Sequence, residues 1–167
     1  MLKANFITAQ EAAEKIQDGS TLCTIGMTLV SASESILKAI EKRFETVGHP
    51  ADITLVHSCG QSDRKDGIQH LAHEGLVKRI VGSHWGLQPR WMEMIANSQV
   101  EAYCLPQGQI AQLYRSMACG LPGKMSKVGL GTFIDPRVEG GKMNDRTKPL
   151  PDIVDILEYG GEDYMFY

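Results

Sequence analysis

Cysteine, aromatic rings and long apolar runs are in short supply in this chain of 167 residues, in which aromatics make up 7%. Only four cysteines occur, Cys23, Cys59, Cys104 and Cys119, and no two have the C-x-x-C spacing that a zinc knuckle or a dithiol redox motif needs. Each sits in or at the end of an apolar segment, so all four are expected to be reduced and mostly buried as small hydrophobes. No stretch approaches the ~18 apolar residues of a membrane span, and a membrane partner is not expected. The 17 Lys and Arg against 20 Asp and Glu give a formal net charge of -3; they are interspersed, which leaves no basic stripe for nucleic acid. Met1–Gln10 carries one lysine and lacks the apolar stretch and cleavage site of a secretory leader. A cytoplasmic location is therefore expected. A G-x-S-x-G elbow is also missing, and His57 and Cys59, two apart on a strand, would point the same way without facing each other.

What is present is an alternation of periods. Thr8-Ala-Gln-Glu11 has the form of a capping box, with Ala12, Ala13 and Ile16 following at helical spacing, and predicts a helix ending at Asp18-Gly19. Leu22–Gly26 reads as a short strand. Ser33 can cap a helix whose Ile36, Leu37, Ile40, Phe44 and Val47 share one face. The near-continuous apolar run Ile53–Val56 suits a strand covered on both sides. A helix near Gln69–Lys78, an apolar Ile80-Val81, a helix over Gln88–Asn97, an extended Val100–Leu105 and a helix over Gln107–Cys119 continue the pattern. These predict an α/β fold, an open, mainly parallel sheet with helices on both faces and right-handed crossovers. After Pro122 come strand-like segments at Val128–Ile134 and Ile153–Leu157, then the aromatic run Glu162–Tyr167. No linker divides the chain, which is read as one domain over 1–167. That final run suggests a strand cut short, so the domain is expected to be incomplete at its C-terminus. An exposed sheet edge at Tyr164–Tyr167 would pair with itself.

Four groups of residues could carry chemistry. His70 and His73 stand three apart with Glu74 beside them, but the order fits neither H-E-x-x-H nor H-x-x-E-H, and no third ligand has a recognisable spacing. Packing and surface hydrogen bonding are favoured there, and no metal is expected. Gly129-Leu-Gly131 lacks the third glycine and following helix of a dinucleotide site, leaving a tight turn or a close approach of backbone to a ligand. Gly26 and Met27 fall where a parallel strand meets its loop, the place where such sheets bind ligands. Gln107 follows Leu105-Pro106 at a helix start, where its amide either caps the helix or holds a carboxylate or thioester carbonyl.

The runs LVHSCGQSDRKDGIQHLAHEGLVKRIVGSHWGLQP, VEAYCLPQGQIAQLYR and KVGLGTFIDPRVEGGK together resemble the N-terminal part of the fused short-chain acyl-CoA:carboxylate CoA-transferases, of the acetate and propionate type. Asp18-Gly19 to Ser33 is similar to an altered form of that family's N-terminal signature, with Ile25, Met27, Ser31 and Ser33 standing where it has Gly, Phe, Gly and Pro. The resemblance implies a ping-pong transfer in which a glutamate attacks the thioester and passes through an acyl anhydride to a glutamyl-CoA thioester. In the family that glutamate lies in the C-terminal, β-subunit-like half, so no catalytic nucleophile is expected within these residues, and Glu74, Glu101 and Glu139 are not expected to replace it. The P-Q-G glutamine maps onto Gln107. Gly26, Met27, Ser58 and Gly60 would contact substrate from their loops, with Gly129 and Gly131 beside them. Coenzyme A enters as substrate and no resident cofactor is implied. The implied partners are acyl-CoA, short-chain carboxylates, the C-terminal half, and identical chains in a homo-oligomer. Two other readings stand beside this one: a hydrolase or citrate-lyase α-like activity, and a catalytically inert domain that binds acyl-CoA or a partner chain.

Overall fold

The computed structural model describes residues 4–167; Met1–Lys3, part of the stretch read above for a leader, lie outside them. Helix α1 spans Ala9–Glu14 and begins with the expected capping box: Thr8 Oγ1 accepts from Glu11 N–H at 3.2 Å, and the Glu11 carboxylate accepts from Thr8 N–H at 2.7 Å. It ends four residues before Asp18. The guanidinium of Arg43 donates to the Ala13 and Ile16 carbonyls at 2.7 and 2.8 Å, satisfying the acceptors that the early end exposes. Helix α2, Glu34–Val47, buries Leu37 and Ile40. Ser33 precedes it without a side-chain capping bond, and Val47, expected on the buried face, is exposed because the last turn runs beyond the core.

Strands β1 (Thr21–Thr24), β2 (Ile53–His57), β3 (Val77–Gly82) and β4 (Glu101–Cys104) form one sheet in that order, every pair parallel. Two apolar clusters flank it. Ile53, Leu55, Val77, Ile80 and Ala102 pack with α1, α2 and α3 (Pro89–Ala96) on one face; Val81 and Tyr103 pack on the other with Ile110 of α4 (Gln107–Ala118) and with the C-terminal segment. The expected helices on both faces are thus present. Trp91 of α3 is fully buried, its indole N–H donating to Ile68 O at 2.8 Å.

The helix expected over Gln69–Lys78 is instead one 3₁₀ turn, Gly67–Leu71. The ladder with β2, which begins at Ile53↔Val77, draws the following residues into β3, and this long-range pairing overrides local periodicity. Val128–Ile134 is a succession of turns, not a strand. A second sheet has the order β5-β7-β6, with β5 Met125–Ser126, β6 Asp155–Tyr159 and β7 Glu162–Phe166, all antiparallel. The terminal aromatic run is therefore its central strand: Met165 and Tyr167 are buried, and no open edge lies at Tyr164–Tyr167. The cysteines are not buried as expected. Cys23, on outer strand β1, and Cys119, past the end of α4, are exposed, while Cys59 and Cys104 are half-buried at strand ends.

His70 and His73 fasten the 3₁₀ turn to α2. His70 Nε2 lies 2.8 Å from Glu34 and its Nδ1 closer still to Glu41, while His73 Nε2 is 2.8 Å from the other Glu41 oxygen. Burial opposes charge on His70, yet the two carboxylates outweigh it and raise its pKa. Only the imidazolium can donate to both carboxylates at once. A raised folded pKa contributes stability that is complete below the ordinary imidazole value of about 6.5 and is lost as pH climbs through the folded value. His70→Gln should therefore lower the thermal midpoint by several degrees near pH 5.5 and by much less near pH 9, relative to wild type at each pH. An equal loss at both pH values would contradict the charged bridge.

Candidate functional site

All four parallel strands deliver their carboxyl ends to one side of the sheet, and the loops they feed enclose a cavity of about 530 Å³. Met27 and Thr28 come from the loop after β1, Cys59 and Gly60 from that after β2, Ser83, His84 and Leu87 from that after β3, and Cys104–Gln107 from the end of β4 and the start of α4; Ile134 closes one wall. This is where open α/β sheets hold ligands.

The loop after β2 is pinned by its carbonyls. Ser83 Oγ donates to Ser58 O, His57 Nδ1–H to Cys59 O at 2.8 Å, Thr28 N–H to Gly60 O at 3.0 Å and Ile68 N–H to Gln61 O at 2.9 Å. A carbonyl only accepts, so the His57 proton sits on Nδ1. The imidazole is fully buried, packs edge-on against Trp85 with ring centroids 4.9 Å apart, and lies so close to β3 that a Cβ at Gly82 would fall 2.4 Å from its Nε2. Burial pushes its pKa down to about 4, only partly countered by the Cys59 carbonyl. His57 is thus a neutral strut and not the base of a cysteine dyad. The Gln61 side chain donates to Thr24 O at 2.7 Å, tying this loop to the end of β1. Among the described residues, neither Cys59 N–H nor Gly60 N–H has an intramolecular acceptor.

The loop after β1 turns back on itself. Met27 and Val30 exchange backbone hydrogen bonds of 3.1 and 2.9 Å, and Thr28 and Ser31 take left-handed φ values of 54° and 63°. Gly26, at φ 140°, is required here, since a Cβ would stand 2.9 Å from Val30 O. Ile25, Met27 and Val30 are 64%, 61% and 68% exposed, an apolar surface on this loop of which Met27 lines the cavity.

Gln107 opens α4 behind Pro106, its side chain makes no hydrogen bond among the described residues, and it is exposed at the cavity. Capping therefore does not explain it. Of the residues singled out from sequence, Gln107, Met27 and Gly60 line the cavity. Gly26 and Ser58 shape its loops without lining it. Gly129 and Gly131 lie behind the wall: Gly129 backs onto Tyr167, and Gly131 N–H donates to Asp135 at 2.8 Å. His84, Ser83, Leu87 and Ile134 were missed. The glycines on either side of His84 in G-S-H-W-G were the available signal for the first. Among the described residues no carboxylate lines the cavity: Glu101 is buried at the far end of β4, 2.7 Å from Arg79, Glu74 follows the 3₁₀ turn, and Glu139 sits in the 135–142 turns.

Ile134 is held by its neighbour. Asp135, 1% exposed, accepts from Arg137 Nη2 and Nε at 2.8 and 3.0 Å and from the N–H groups of Gly131 and Arg137. The guanidinium first and the Gly131 amide second hold its carboxyl far below the usual range. Asp135→Asn is expected to lower the thermal midpoint at pH 7 by about 5 °C, with the deficit shrinking as acid protonates the wild-type carboxylate. An unchanged midpoint at pH 7 would show that Asp135 does not fasten this wall.

Comparison with known proteins places this geometry. Residues 6–167 match the family model described as Coenzyme A transferase. The chain is 42% identical over 165 residues to caffeate CoA-transferase of Acetobacterium woodii, covering 98% of this chain and 31% of that one. It is 36% identical over 163 residues to acetate CoA-transferase YdiF of Escherichia coli strain K12, covering 96% and 30%. The crystal structure of the acyl-CoA transferase YdiF apoenzyme from Escherichia coli O157:H7 superposes with a TM-score of 0.88 at 35% identity, again over 96% of this chain and 31% of that one; a thioester complex of that enzyme with CoA matches equally well. The chain thus spans about a third of the length of these relatives.

Proposed function

The chain belongs to the coenzyme A transferase family, and we propose that it is the N-terminal, α-subunit-like domain of an enzyme moving CoA between a short acyl-CoA and a carboxylate. In this reading residues 1–167 form one wall of the cleft. The reaction runs by ping-pong. A glutamate carboxylate from the C-terminal half attacks the thioester carbonyl and expels CoA thiolate, leaving an acyl-glutamyl anhydride. The thiolate then attacks the glutamyl carbonyl, releasing the first carboxylate and leaving a glutamyl-CoA thioester. The incoming carboxylate attacks that thioester, and the freed thiolate takes the new acyl group while the glutamate is restored.

The observation that carries this reading is a cleft with free donors and, among the described residues, no carboxylate of its own. Among the described residues the side-chain amide of Gln107 and the N–H groups of Cys59 and Gly60 have no internal acceptor, and these three residues line the cavity, as stabilisation of a developing oxyanion requires. Gln107 is assigned to positioning the reacting oxygen. Met27, Leu87, Leu105 and Ile134 supply apolar surface for the acyl group, and the relatives' names, acetate and caffeate, span a small and an aromatic acid. The exposed apolar surface at Ile25, Met27 and Val30 supports a covering second half. One feature favours the inert-domain reading: the terminal strand is covered, so these residues have no open apolar edge there.

With acetyl-CoA and propionate as substrates, residues 1–167 alone are expected to give no CoA transfer, and the polypeptide carrying both halves to give it. Gln107→Ala in that polypeptide should lower kcat by about 10²-fold. Transfer by the 167 residues alone, or an unaffected Gln107→Ala, would overturn the assignment; absence of transfer by both forms would favour the inert domain.

A further inference from the structure

We infer that His84 is the charge that seats the anionic carboxylate substrate opposite Gln107, an assignment that rests on the transferase reading. The cleft must accept a negatively charged acid from water, yet the side chains around it are almost wholly uncharged: Met27, Leu87, Leu105 and Ile134 are apolar, and no Lys, Arg, Asp or Glu borders it among the described residues. Among the described residues, His84 is the one lining side chain that can become a cation. Moving a carboxylate into such a site without a compensating charge is costly.

The ring is placed for this role. It leaves β3 two residues past Gly82, at the carboxyl end of the sheet, while Gln107 enters from the end of the adjacent strand β4. Two glycines make room for it: a Cβ on Gly60 would fall 2.9 Å from its Nδ1, and one on Gly86 would fall 3.1 Å from its Nε2. Larger residues at either position would displace the ring. Gln88 lies beneath the backbone here, and with its amide oriented so that the nitrogen faces the carbonyls of His84 and Trp85 it donates to them at 2.9 and 3.2 Å. Among the described residues neither ring nitrogen of His84 has a hydrogen-bond partner, and the residue is exposed. His57 behind it is buried with its pKa pushed down, and among the described residues no carboxylate lines the cavity to claim the charge. A bound carboxylate favours the imidazolium by its own field. Charge-assisted hydrogen bonds of this kind are about twice as strong as neutral ones.

The test uses the polypeptide that carries both halves, with the carboxylate and acyl-CoA varied separately. His84→Asn keeps an N–H donor and removes the possibility of charge; His84→Leu removes both. Both variants should raise KM for the carboxylate about tenfold, with KM for acyl-CoA and kcat within about twofold of wild type. Their unfolding midpoints should match wild type, since His84 makes no side-chain bonds to lose. An unchanged carboxylate KM in either variant would overturn the role of charge, and so would a fall in kcat with KM held. Transfer by wild type with His84 variants indistinguishable from it sinks this inference alone. No transfer by wild type sinks it together with the functional reading on which it rests.

Discussion

Four successive carbonyl groups, those of Ser58 to Gln61, accept hydrogen bonds from four different places: a hydroxyl after β3, the ring of His57, the loop after β1, and the 3₁₀ turn. The cleft depends on that pinning. Because carbonyl and following N–H point in opposite directions across a trans peptide, committing these carbonyls to the protein turns the N–H groups of Cys59 and Gly60 away from it, while Gln61 N–H reaches the Gln88 amide oxygen at 3.3 Å. A loop held at each residue also loses the conformational freedom that would otherwise be spent when a ligand binds. The neutral state of His57 belongs to the same arrangement. A buried imidazolium against Trp85 and Gly82 would have no counter-charge, so burial keeps the ring uncharged and its single N–H on the Cys59 carbonyl.

The sheet explains why these loops meet. All-parallel pairing in sequence order sends every strand's carboxyl end the same way and requires a covering layer on each face. One face has three helices and the larger apolar cluster; the other has α4 and the small antiparallel sheet. That second layer also brings Ile134 to the cleft, through turns fixed by Asp135 and Arg137, and the latter continues to Asp163 at 2.6 Å.

Much of this was legible in the chain. Alternating periods gave the α/β class, the Thr8–Glu11 box marked the first helix, and Pro106-Gln107 marked the helix start on which the main site residue stands. What escaped reading depended on distant partners. Val77 and Lys78 continue a helical pattern locally, but β2 supplies a ladder for them. The G-x-G at Gly129 looks like a ligand loop, whereas its close approach is to Tyr167, 38 positions on. The terminal aromatics looked like an edge because no local signal reveals that β5 and β6 flank them on both sides. His84 is a surface histidine by composition, and only the placing of Gly60 against its ring makes it part of a site.

The central claim is that the nucleophile which completes this cleft comes from outside residues 1–167. The most direct measurement is peptide mapping by mass spectrometry after the polypeptide with both halves is incubated with acyl-CoA and quenched, reading which glutamate carries CoA as a thioester. The account places the adduct on a glutamate beyond Tyr167, with residues 1–167 unmodified. An adduct on Glu74, Glu101 or Glu139 would contradict it.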